Sequence, residues 1–203
     1  MKPGVRLPRC SKHNVLTDEE KTMTTTAELK ESDEADARGL ELGKQEGEAF
    51  GRILKHMLEE VADGGEEIAH GDYLIAYAFE KAEGMYVPRD GKLEWMAPER
   101  ENIHIEVSVR DRADGRVLPS LDVEVTLTDE KGREIGTHKQ PLLWHPYLYH
   151  YGRNWVIPGG GTYSLRVRFP APQFHRHDKK NGKRFAEGAD VTFKNVKLKT
   201  GRE

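Results

Sequence analysis

One cysteine, Cys10, stands among 203 residues. A lone thiol closes no disulfide within the chain and cannot build a thiolate zinc site, so any metal must be held by histidine, methionine or carboxylate. Long apolar runs are missing as well. No window approaches the ~20 consecutive apolar residues that cross a bilayer, and the opening "MKPGVRLPRCSKHNVLTDEEKTM" lacks the apolar core of a signal peptide. These residues give the expectation of a cytoplasmic location and no direct membrane insertion. Neither sign of charge dominates: 32 Lys and Arg against 35 Asp and Glu leave a net charge of −3. Interspersed signs make no global field that would draw in nucleic acid.

Charged residues make up 33% of the chain and hydrophobic ones 36%, so a core forms only where the apolar residues are concentrated. The pattern divides the chain into an irregular N-terminus at 1–23, a helical extension at 24–65 and one larger domain at 66–203. Within the extension, Phe50, Ile53, Leu54, Met57, Leu58 and Val61 recur at steps of three and four and make one apolar helix face. Gly64 and Gly65 should stop that helix. Before the apolar face, Gly39, Gly43, Gly47 and Gly51 fall on every fourth residue. Each glycine costs a helix up to about 1 kcal/mol relative to alanine, so the spacing predicts close approach of another backbone. Its membrane use is excluded by Glu41, Lys44, Gln45 and Glu46 in the same turns.

After Gly65 the period changes. "DYLIAYAFEKAEG", "ENIHIEVSVRDRADG", "LDVEVTLTDEKG", "TYSLRVRF" and "ADVTFKNVKLK" alternate apolar and polar residues and are bounded by Gly, Pro, Asp or Asn. With no helical pattern between them, they predict a mainly β fold: an immunoglobulin-like antiparallel β-sandwich with an N-terminal helical extension.

Of nine histidines, His13, His56, His70 and His138 read as ordinary surface residues. The others fall in chemically suggestive places. In "NIHIEVSV" the apolar set is Ile103, Ile105, Val107 and Val109, so His104 and Glu106 project together from the opposite side of the strand. An imidazole and a carboxylate so placed can share a metal, or the carboxylate can orient the imidazole. "LLWHPYLYHYGRNW" surrounds His145 and His150 with aromatics, which alone reads as a buried crossover between sheets. His175 and His177 follow in "FHRHDKKNGKRF". Imidazoles from three separate segments with one carboxylate suit Cu or Fe, and also Zn.

The order "NIHIE", "HYGRN", "GTYSLRVRFPAP", "RHD" with "NGKRF", and "VTFKNVKL" resembles that of the periplasmic high-affinity iron transport proteins over about Gly71 to Leu198. The resemblance implies a dimeric copper- and iron-binding sandwich that accompanies a membrane iron permease. It also implies a metal site near the subunit interface, formed here by His104, Glu106, His150 and His177. Where that family has a metal-binding methionine, seven residues before the "HYG" histidine, this chain has Leu143. His145 or Met85 are the candidates to replace it, and His175 stands just outside the matched pair. Asp178 is expected to fix the turn, with Lys179 to Arg184 as solvated loop.

The reading is therefore a non-catalytic, homodimeric metal-binding protein. Its alternative is a structural or interaction sandwich without physiological metal, docked through the glycine-spaced helix. If histidines bind the metal, affinity should fall as pH drops through about 6.5, where free imidazoles protonate.

Overall fold

The protein is described here from a computed structural model covering residues 28–202. The expectation for 1–23, with Cys10 and His13, lies outside the described residues. The helix begins later than its composition predicts. Residues 28–36 carry no helix; Ser32 Oγ instead accepts from the Glu34 and Ala35 amides, a local bond that competes with helical pairing. Asp36 then caps α1, Ala37–His56, by accepting from the Gly39 amide at 2.7 Å. A π-helical turn, Met57–Val61, follows and is closed by Ala62 N–H to Met57 O at 2.8 Å. Gly64 and Gly65 do more than stop it, because they open strand β1, Gly64–His70.

The remaining strands are β2 (Tyr73–Glu80), β3 (Met85–Arg89), β4 (Lys92–Met96), β5 (Ile103–Asp111), β6 (Glu124–Asp129), β7 (Glu134–Lys139), β8 (Leu142–Trp144), β9 (Tyr149–Trp155), β10 (Gly161–Phe169) and β11 (Ala189–Leu198). A five-stranded sheet runs β1-β2-β5-β9-β8 and a four-stranded sheet β11-β10-β6-β7, while β3 and β4 form a separate hairpin. All of these strand pairs are antiparallel. Inward residues of both sheets, including Ile75, Ile103, Ile105, Val107, Leu127, Leu165 and Val167, make one continuous core. The fold is thus the mainly β antiparallel sandwich with an N-terminal helix that the alternation predicts.

A sheet with one face in water should alternate buried and exposed residues, yet β5 is buried at every position. Its second face is covered by α1 and the π-turn. Leu54, Met57 and Leu58 share a cavity with Ala76 and Ala78 of β2 and with Glu106 and Ser108 of β5. The glycine row lets the helix approach. A Cβ on Gly47 would stand 1.8 Å from the Asp114 carbonyl oxygen and 2.7 Å from Gly115 C. The partner of the glycine-spaced face is therefore the β5–β6 turn of the same chain. Burying Leu54 and Met57 against the sheet, which this approach permits, is worth about 1.5–3 kcal/mol each.

Candidate metal centre

His104 and Glu106 project from the outer face of β5, and His150 comes from β9, the next strand in the sheet. One donor atom from each lies within 4.8 Å of the others. Glu106 Oε1 is 3.3 Å from His150 Nε2 and 3.8 Å from His104 Nε2. The imidazoles stand edge to face, with centroids 5.9 Å apart. All three residues are buried, His104 completely.

Room for two rings on neighbouring strands comes from Gly152, which pairs with Glu106 across β5 and β9. A Cβ there would meet His104 Nε2 at 2.8 Å and His150 Cδ2 at 2.9 Å. The glycine of "HYG" is thus a steric requirement of the cluster. Asn154, two residues on, fixes the protons. Its amide donates to the Glu83 carbonyl at 2.7 Å and its Oδ1 accepts from the Glu83 amide at 3.3 Å. That orientation presents Oδ1 to His104 Nδ1 at 2.9 Å, so Nδ1 carries the proton and donates. Nε2 is left with its lone pair free, with Glu83 Oε1 at 3.7 Å and Glu106 Oε1 at 3.8 Å.

Burial sets the protonation of the cluster. It depresses His104 to about 4, although the Asn154 bond favours the cation. His150 falls to about 3 through burial and through repulsion from His104 and His145. Glu106 is pushed up to about 8, by burial first and then by Glu80 and Glu83. At neutral pH the site therefore holds two neutral imidazoles and a carboxyl that retains its proton until a cation replaces it.

His104 Nε2 and both ring nitrogens of His150 are buried without a hydrogen-bond partner. Leaving such groups unsatisfied costs about 1–3 kcal/mol each. Two imidazole nitrogens and a carboxylate oxygen, all pointing at one space, are what Cu, Fe or Zn takes. The residues present fit a transition metal.

The other candidates fall elsewhere. His177 is not brought to the cluster within one chain: its side chain is 92% exposed and its Nδ1 lies 3.1 Å from Glu34. The reason is local. Asp178 accepts from the Lys180 and Asn181 amides at 2.7 and 2.9 Å and from Ser32 Oγ at 2.7 Å, which fixes the turn as expected but directs His177 away. Those bonds hold Asp178 well below the usual carboxylate range. His175 is exposed in the same loop, and Arg184 is not solvated, since it pairs with Asp111 and Asp72. Met85 opens β3, paired in register with Met96. His145 is half-buried, 4.3 Å from the Tyr147 ring, and its Nδ1 is buried without a hydrogen-bond partner. Leu143 pairs in register with His150 and offers no donor. His138 lies against the Trp155 ring at 4.5 Å.

Sequence reasoning took Met57 only as part of the apolar helix face and passed over Gly152 and Asn154. The last two lie inside the quoted "HYGRN", where a glycine in a strand was the available sign of close approach.

Fold and site together define a mainly β protein that buries a cluster of metal-ligand type. Residues 58–199, more than half of the chain, match the Fe2+ transport protein family, and the chain belongs to that family. Among solved structures it is similar to FetP of uropathogenic E. coli strain F11, at 20% identity and a TM-score of 0.51, covering 66% of this chain and 95% of that one. Copper-reconstituted P19 of Campylobacter jejuni gives 22% identity and a TM-score of 0.57, with 68% and 96% covered. A copper-bound variant of FetP gives 22% and 0.54, with 66% and 96% covered. No curated protein matches significantly. The expectation of a cytoplasmic location is overturned: the chain belongs to an Fe2+ transport family, and the similar FetP was studied as protein expressed in the periplasm. Lack of a leader-like stretch was not sufficient ground for it.

Proposed function

We propose that the chain is a non-catalytic metal-binding protein of iron transport that holds one iron or copper ion at His104, Glu106 and His150. The observation that carries this reading is the set of buried, unsatisfied imidazole nitrogens facing a buried carboxylate within 4.8 Å. Membership in the Fe2+ transport family and the copper-bound state of the similar proteins support it. Asn154 holds His104 in its ligating tautomer, Gly152 keeps the space open, and a bound dication would keep Glu106 ionised. The interaction-module alternative loses its docking element, because the glycine-spaced helix packs on its own sandwich.

The chain is further proposed to act as a homodimer alongside a membrane iron permease, with His177 serving the cluster of a second copy. Exposure of His177 and of large apolar side chains at the sheet edge, Leu142 and Trp144 on β8 and Tyr149 on the neighbouring β9, support this. Equilibrium dialysis with Cu(II), Fe(II) and Zn(II), metal counted per chain, tests the site. One ion per wild-type chain and at least tenfold weaker binding by His104→Ala and His150→Ala are expected. Equal binding by these variants and His138→Ala would misplace it.

A further inference from the structure

The three-residue cluster is a hard-to-borderline donor set, and the position opposite His150 is filled by the apolar Leu143. A soft donor approaches from another direction. Met57, at the junction of α1 and the π-turn, is 4% exposed and lines the same cavity as Glu106 and His150. The cavity, about 10 Å³, is the size of one small occupant. Leu148 and Ala78 make the rest of its wall largely apolar, so it suits an ion stripped of water better than a hydrated one.

The thioether already behaves as an acceptor there: Tyr147 Oη donates to Met57 Sδ at 3.5 Å. Tyr147 also stands beside His145, and its hydroxyl is pushed up by burial and by Glu80, Glu106 and Glu83. Sulfur, phenol and cluster therefore share one neighbourhood. Backbone geometry points the same way. The change from α to π begins at Met57, and such turns are uncommon and concentrate at functional sites. Met57 also lies one residue before the stretch matched by the Fe2+ transport family, on the helix that this chain lays over the sheet.

We propose that Met57 supplies a thioether ligand to the His104–Glu106–His150 cluster from the helix side, giving the site affinity for Cu(I). The inference rests on the metal-binding reading above. Thioether sulfur is polarizable and favours Cu(I), whereas Zn(II) gains little from it. The helix would then deliver a ligand as well as cover the cluster.

The test uses the full chain and its Met57→Leu variant, which keeps the apolar packing. Cu(I) affinity is measured by competition with a chromophoric chelator, Zn(II) affinity by the same means, and folding by thermal unfolding. Met57→Leu should bind Cu(I) at least tenfold more weakly and Zn(II) within about twofold of wild type. X-ray absorption at the copper edge of selenomethionine-labelled, Cu(I)-loaded protein provides a readout independent of the variant's folding. A selenium neighbour of copper is expected in the wild type and should be absent in the variant. Unchanged Cu(I) affinity, or no selenium neighbour in the wild type, overturns the Met57 proposal while leaving the three-residue site intact. Failure of the wild-type chain to bind either ion overturns both.

Discussion

Adding a single methyl group at Gly47 should unseat the helix. Its Cβ would lie 1.8 Å from the Asp114 carbonyl oxygen, far inside contact distance, and the obstacle is backbone. The obstacle is also held in place. Gly115 N–H donates to Asp111 O and Asp111 N–H to Arg116 O, each at 2.8 Å, and Gly115 sits at φ +82°. The turn cannot move aside cheaply, so the helix must lift. Lifting removes part of the burial of Leu54 and Met57, each worth about 1.5–3 kcal/mol when complete. Against this, alanine gains up to about 1 kcal/mol in helix propensity. The net expectation is a loss of about 2–3 kcal/mol, or roughly 4–12 °C in Tm for a chain of this size. Gly51→Ala is the paired control: its Cβ would meet only Arg110 Nη1, at an ordinary 3.5 Å, so the substitution should be neutral or stabilising by up to about 1 kcal/mol. Thermal unfolding of both variants, followed by circular dichroism, decides. A Gly47→Ala protein as stable as wild type would refute the docking of the helix on the β5–β6 turn.

Asn154→Ala should weaken metal binding by about 10–100-fold with the fold retained, because His104 loses the bond that sets its tautomer; dialysis measures this. Metal uptake should release up to about one proton per ion at pH 7, since Glu106, raised to about 8, is still largely protonated there and must ionise to bind. Affinity should accordingly rise about tenfold per pH unit up to about 8, and calorimetry in two buffers of different ionisation enthalpy counts the proton. No threshold near 6.5 is expected from His104 or His150, whose folded-state values lie near 4 and 3. His177→Ala should lower affinity only at concentrations where sedimentation shows a dimer.

Much of the sandwich was legible because alternation has a direct physical cause. Val107 and Val109 must face a core, so His104 and Glu106 had to share the other face. Strand β9 was hidden, because "YHYGRNW" mixes aromatics, a glycine and an arginine without clean alternation, and it becomes a strand by pairing with β5 and β8. The glycine row announced close approach but not its partner, since the Asp114–Gly115 backbone lies over sixty residues away in sequence. Separation in sequence likewise concealed Met57, which read as part of an apolar stripe. His177 lies away from the cluster of its own chain for a local reason: the Asp178 turn and Ser32 orient the loop, and "RHD" as a string carries no direction. Spacing pointed to candidate donors, and packing brought His104, Glu106 and His150 together.

Anomalous diffraction from crystals soaked in copper shows whether His104, Glu106 and His150 together hold one metal ion. A single strong peak in contact with His104 Nε2, His150 Nε2 and the Glu106 carboxylate is the predicted result. A peak confined to the loop of His175 and His177, or no peak at the buried cluster in fully loaded crystals, would contradict it.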